Sequence, residues 1–121
     1  MLILGLYVAG MLGAPARYLV DGFVVDRARG ELPVGTFVVN VTGSLFLGFL
    51  TGLALYHAFP ATPRALLGTG FCGAYTTFST FAYELIRLAE DRERRATLRV
   101  LIAFLTVPAI AAAVGMSLAG L

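Results

Sequence analysis

At 121 residues, 59% hydrophobic and 13% charged, with a mean hydropathy of +0.87, the chain carries more apolar surface than a small water-soluble domain can hide around one core. All nine of its cations are arginine, clustered in short connections where anionic lipid headgroups suffice as partners, so no nucleic-acid surface is expected. Its one cysteine, Cys72, excludes an intrachain disulfide and any cysteine-based metal cage. The composition is that of an integral membrane protein.

Uncharged runs at 1–16, 32–63, 65–83 and 100–121 lie near or above the ~17–25 residues a helix needs to cross hydrocarbon, the first only if Arg17 is included. The pattern predicts four spans, at about 2–24, 34–57, 64–87 and 96–120, in a single domain covering 1–121. No basic segment precedes the first apolar run, so no secretory signal is expected. The connections "DRARGELP", "HAFPATP" and "AEDRERRATLR" are short and rich in charge, Pro or Gly, which makes successive helices antiparallel neighbours.

Span one carries small residues four apart (Gly5, Ala9, Gly13), the spacing that lets backbones approach closely in lipid. It ends on "GAPARY", where Gly13 and Pro15 loosen the helix and Arg17 sits near the membrane boundary. Arg17 either snorkels to the headgroups or has a structural or ion-attracting role. Span two, "GTFVVNVTGSLFLG", repeats the small-residue spacing (Ser44, Gly48, Gly52) and buries Asn40 on the face of Gly43, Ser44 and Thr51. An amide in hydrocarbon needs a neighbour, at the least an interhelical hydrogen bond. "NVT" also matches a glycosylation acceptor, but within a span it is out of reach.

Span three is the unusual one. Gly68, Gly70 and Gly73, then Thr76, Thr77, Ser79 and Thr80, place poor helix formers mid-span, which predicts a helix broken at its centre. Backbone freed by a break is tolerated only where protein, water or an ion supplies partners, and its carbonyls suit an alkali cation. Beyond the break, Thr77, Thr80 and Glu84 share one helical stripe and Phe78, Phe81 and Leu85 the next. Phenylalanines at this spacing are usually packing residues, although a ring edge carries positive charge that favours an anion. Span four adds Ala111, Gly115 and Ala119 at the same close-packing interval. Four short helices enclose little space, so a path through the membrane is expected between copies.

The combination of "GAPARY", "GTFVVNVTGSLFLG" and "GTGFCGAYTTFSTFAYE" resembles the Fluc (CrcB) family of microbial fluoride channels, over essentially the whole chain. The resemblance implies a multi-pass protein of the plasma (inner) membrane that exports fluoride passively and confers fluoride resistance. It implies an antiparallel, dual-topology homodimer with two pores along the interface and a structural sodium ion at the centre. Matched residue by residue, Phe78 and Phe81 are the pore phenylalanines, Asn40 the pore asparagine, Ser79 and Thr80 the polar lining and Glu84 a pore-mouth glutamate. Thr77 joins them on the polar stripe. Arg17 matches the arginine of span one, and Gly73 and Thr76 the positions whose backbone carbonyls hold sodium. Thr106 and Ser117 of span four are candidates for further lining.

One feature departs from that picture. Arg27, Arg29, Arg87, Arg92, Arg94, Arg95 and Arg99 fall on one side of the predicted spans and Arg64 on the other, whereas dual insertion goes with a weak bias. By the positive-inside rule the termini are external, and a heterodimer with an oppositely oriented chain becomes an alternative partner. Among other classes, a small multidrug-exporter-like proton-coupled antiporter needs a carboxylate in span one, which has none before Asp21. No ATP-binding GxxxxGK[ST] is present, His57 is the only histidine, and Cys72 has no histidine near it, so no enzyme is expected.

Overall fold

The computed structural model describes every residue except Glu31 and Arg92, the latter one of the arginines counted above. The regular structure among the described residues is helical: α1 (Leu2–Arg27), α2 (Val34–Tyr56), α3 (Ala61–Arg64), a π-helical segment (Ala65–Cys72), α4 (Gly73–Tyr75), α5 (Ser79–Glu90) and α6 (Arg94–Ala119). Three of these, α1, α2 and α6, are long and apolar enough to cross a membrane. The pieces from α3 to α5 fill the third predicted stretch.

Pro15, expected to loosen its helix, does not interrupt it. Pro15 lies inside α1, which continues to Arg27, and Pro108 lies inside α6. Proline removes one backbone donor, but packed neighbours and local adjustment keep the helix running at membrane depth.

Connections at alternate ends make α2 and α6 run in the same direction, and they pack most closely where both lack side chains. Gly48 lies against the backbone of Ala112, Gly115 against the Leu45 carbonyl, and Gly52 against Met116, so a Cβ at any of them would collide with backbone. On the other side α1 lies along the π-helical segment: a Cβ on Gly70 would stand 2.7 Å from that of Ala9, and Gly13 meets the Phe71 carbonyl. All three small-residue stripes are thus helix contacts. His57 pairs its Nε2 with the Ala119 carbonyl at 2.8 Å and ties the end of α2 to that of α6.

Near the other end Phe81, Leu88, Val100 and Phe104 form a buried cluster joined by Phe37 and Leu85. Most remaining large apolar side chains are exposed, above all on α1 (Ile3, Tyr7, Met11), as suits a surface that meets lipid or another chain. Arg27, Arg29, Arg87, Arg94, Arg95 and Arg99 stand toward this end, and Arg64 toward the opposite one.

Candidate functional site

The helix that begins at Ala61 stops at Tyr75, and the chain turns helical again at Ser79. Between them Thr76 is extended (φ −78°, ψ 159°). Its N–H and its hydroxyl both donate to the Cys72 carbonyl, each at 2.9 Å, which closes the preceding turn. The next amide leaves the helix: Thr77 N–H donates to Asn40 Oδ1 at 2.9 Å, and Asn40 Nδ2 donates to the Thr77 carbonyl at 2.8 Å. One side-chain amide therefore satisfies both backbone groups of Thr77. The expected interhelical hydrogen bond of Asn40 is a two-bond clamp, and it leaves one Asn40 N–H uncommitted. With that amide diverted, the carbonyls of Gly73, Ala74 and Tyr75 receive no backbone donor among the described residues.

Thr77 also starts the next helix. Its Oγ1 accepts the Thr80 N–H at 3.2 Å, as a capping hydroxyl does, and lies 3.1 Å from Thr80 Oγ1 and 3.3 Å from Ser79 Oγ. Gly43 makes room for this arrangement, because a Cβ there would collide with the Thr76 methyl and crowd the Tyr75 ring. Tyr75 is buried, stacks on Phe71, and shares a 2.9 Å hydrogen bond with Thr42 Oγ1. The interruption is thus pinned to α2 at two points, Thr42 and Asn40.

Two cavities flank the clamp and share Thr77. The larger, of about 270 Å³, is lined by Asn40, Ser44, Thr76, Thr77, Phe78, Phe81 and Phe104 among others. Phe78 is 76% exposed and Phe81 only 5%, their centroids 5.8 Å apart with planes at 67°. Phe81 lies face to face with Phe104 at 4.4 Å, and Phe37 meets Phe104 edge-on at 5.2 Å. Phe104 covers one face of Phe81. The smaller cavity, of about 180 Å³, is lined by Arg17, Tyr18, Asp21, Thr36, Thr77 and Thr80 among others. Arg17 does not snorkel: α1 runs on past it, and its guanidinium points to the Thr76 carbonyl at 3.5 Å, the long limit of a hydrogen bond.

Of the residues singled out from sequence, Asn40, Thr76, Thr77, Phe78, Phe81, Thr80 and Arg17 gather around these two cavities. Ser79 is exposed and bonded to Thr77. Glu84, further along α5, lines neither, and its Oε2 is buried with no hydrogen-bond partner among the described residues. Gly73 faces an open groove against α1, beside Gly10 and Ala74. A Cβ on Gly73 would meet nothing within 4 Å, and its carbonyl is among those without a backbone donor. Thr106 and Ser117 spend their hydroxyls on their own helix, bonding Ile102 O at 2.8 Å and Ala113 O at 2.9 Å, and are exposed. Four residues were not singled out as site residues: Asp21, Thr36, Tyr75 and Phe104. A carboxylate within α1 was a signal for the first, whereas Phe104 in an apolar helix looks like any lipid-facing phenylalanine.

A cation at Gly73 and Thr76 would rest on backbone oxygen, since no cluster of His, Cys, Asp or Glu suited to a metal occurs among the described residues. The Gly73 carbonyl, donor-free near a helix C-terminus at the negative end of its dipole, fits a hard monovalent cation, whereas the Thr76 carbonyl also lies 3.5 Å from the Arg17 guanidinium.

The profile of the CrcB-like protein, Camphor Resistance (CrcB) family matches residues 4–120. The chain is 47% identical over all 121 of its residues, and over 88% of the relative, to a protein named fluoride-specific ion channel FluC 1 of Leifsonia xyli. It is 44% identical to FluC 2 of Mycolicibacterium paratuberculosis, over 97% of this chain and 93% of the relative. Against FluC 2 of Mycobacterium tuberculosis the identity is 42%, over 96% of this chain and 89% of the relative.

Proposed function

The chain belongs to the CrcB-like family of fluoride-specific ion channels, and from that premise we propose that the two cavities around Asn40 and Thr77 belong to a fluoride-selective path through the membrane. The protein is a multi-pass membrane channel and not an enzyme. The proton-coupled antiporter alternative has no support from its relatives.

The observation that carries the site assignment is that one cavity is lined by Asn40, whose amide keeps a spare N–H, together with Phe78 and Phe81. Fluoride is small and strongly hydrated, so a dry passage must replace water's hydrogen bonds with fixed donors. The uncommitted amide N–H and the Thr80 hydroxyl, which accepts from Thr77 and keeps its own proton, are such donors, with the Ser79 hydroxyl beside them bonded to Thr77, and the ring edges add weaker positive surface. A narrow bore between them excludes larger halides. Arg17 lines the smaller cavity beside the clamp, where its charge favours an anion, and Glu84 lies further along α5. Passive conduction suffices for export: neutral hydrogen fluoride enters, dissociates at cytoplasmic pH, and the negative-inside potential drives the anion out.

The interruption at 76–78 is read as the central break of a single third span. Phe78, Ser79 and Gly73 are exposed at what would be mid-membrane depth, a surface that lipid does not suit. A second, antiparallel chain covers it, giving two pores along the interface. A structural sodium ion sits between the copies on the Gly73 and Thr76 carbonyls and neutralises the oxygen gathered there. The arginine asymmetry favours a second reading of the partner. A chain with one strongly preferred orientation pairs with an oppositely oriented relative, making a heterodimer.

The test is fluoride efflux from plasma-membrane-like liposomes that contain only this chain, with chloride as control and a potassium ionophore to release the charge. Fluoride loss without chloride loss, abolished in a Phe78→Ile, Phe81→Ile variant, fits the homodimeric channel. No loss from folded chain, restored by a co-reconstituted relative of opposite charge bias, fits the heterodimer. No loss in either case refutes the channel reading.

A further inference from the structure

Between the first turns of α2 and α6 lies a groove of about 240 Å³ that the fluoride path does not use. Its lining is Leu32, Pro33, Val34, Phe37, Ala96, Val100, Ala103 and Phe104, with Arg99 the one charged member. The groove has a direction. Arg99 directly precedes the uncharged run 100–121, so its guanidinium stands where hydrocarbon meets headgroups, and Phe104 lies about 7.5 Å deeper at 1.5 Å per helical residue. Arg95 precedes Arg99 by one turn. Hydrogen bonds occupy Arg17 and Arg27 but not Arg99 among the described residues. The positive-inside rule turns this arginine-rich end to the cytoplasm, whose leaflet surface is anionic; in an antiparallel pair of copies this holds for one of the two.

The floor of the groove is the back of the candidate pore. Phe104 lines both, with the groove on one side and Phe81 stacked at 4.4 Å on the other. Phe37, at 5.2 Å from Phe104, closes the row. Whatever fills the groove presses on the ring that holds Phe81.

We propose that this groove is a specific site for an anionic phospholipid of the cytoplasmic leaflet, its phosphate on Arg99 and the first carbons of an acyl chain against Phe37 and Phe104. The charge at the rim selects the headgroup, and the apolar slot beneath accepts only the chain. An occupied groove braces Phe104 and so holds the Phe81 ring in register. That second effect rests on the channel reading; the binding does not.

Two measurements separate them. In native mass spectrometry of the intact channel, phosphatidylglycerol adducts survive where phosphatidylcholine adducts are lost. Arg99→Gln lowers phosphatidylglycerol retention about fivefold, the weight of one guanidinium near an anionic surface. Ala103→Leu, which fills the slot with protein, lowers it too. In liposomes, adding phosphatidylglycerol to phosphatidylcholine raises wild-type fluoride efflux, and Ala103→Leu conducts equally in both membranes because its own side chain braces the ring. Retention unchanged in Arg99→Gln overturns the site, as does disulfide cross-linking of Ala103→Cys between two copies, which would put protein in the groove. Retention as expected with no fluoride efflux in either membrane upholds the lipid site and removes the channel reading.

Discussion

Asn40→Ala is the sharpest perturbation of the site, because one side chain there satisfies two backbone groups that nothing else reaches. Removing it orphans the Thr77 N–H and carbonyl, held now at 2.9 and 2.8 Å. A buried polar group left unpaired costs about 1–3 kcal/mol. Interhelical hydrogen bonds in membrane proteins average nearer ~0.6 kcal/mol, because the loosened state finds other partners. Two groups at membrane depth with few alternatives place the loss at about 2–4 kcal/mol, within the ~5–15 kcal/mol that folded proteins hold. The variant therefore folds with a less rigid interruption. Fluoride loses one amide donor as well, and at ~1.36 kcal/mol per decade efflux falls at least tenfold. Asn40→Asp separates the two effects. It keeps an acceptor for the Thr77 N–H but sets a carboxylate against an anion, so it loses less stability than Asn40→Ala and no less flux. Denaturant unfolding in detergent and liposome efflux measure the pair. Wild-type unfolding and efflux in Asn40→Ala would refute the clamp and the donor role together.

The two phenylalanines predict unequal effects from equal changes. Phe81→Ile loses its stack on Phe104, about 0.5–1.5 kcal/mol beyond lost burial, whereas Phe78→Ile, at a ring 76% exposed within its own chain, costs less; efflux falls in both. Gly48→Val and Gly115→Val push side chains into the backbone of the facing helix and yield no folded protein on size-exclusion chromatography. Gly22→Ala, with open space at its Cβ, stays within about 0.5 kcal/mol of wild type. Replacing sodium by a bulky organic cation on both sides of the membrane stops fluoride efflux, and readdition restores it; efflux indifferent to sodium would sink the carbonyl cation site.

Much of this molecule is legible in its sequence because a bilayer leaves few choices. Apolar length sets the spans to within a few residues, and Gly48, Gly52 and Gly115 mark the α2–α6 contact because only small residues let backbones meet where lipid supplies no hydrophobic force. What the sequence hides are partnerships between elements. Nothing local tells that Asn40 spends its amide on Thr77, 37 residues away, or that the Thr76 hydroxyl turns back to Cys72. The π-helical pitch of 65–72 is equally silent: glycines at 68 and 70 permit the close approach of Leu47 and Ala9 without dictating it. Pro15 misleads because its usual cost is read against water, whereas α1 has nowhere else to put its backbone.

The site residues divide along the same line. Thr77, Ser79 and Thr80 can be read as a polar run because hydroxyls in hydrocarbon demand a reason. Phe78 and Phe81 cannot be separated by composition or period, yet one is buried on Phe104 and the other stands open. That difference follows from where the helix restarts. Because α5 begins at Ser79, Phe81 sits in its first turn and faces α6, while Phe78 precedes the helix and projects from the end of the interruption. A continuous helix would place the two rings 300° apart at 100° per residue, on adjoining stripes of one face. Phe78 has helical dihedrals and its carbonyl accepts the Ala82 N–H at 2.9 Å, so the pair keeps this helical spacing, with Phe81 turned onto Phe104 and Phe78 left exposed. The interruption thus does two things at once: it leaves the carbonyls of Gly73, Ala74 and Tyr75 without backbone donors, and it sets the phase of α5 so that Phe81 packs on Phe104 while Phe78 stays exposed.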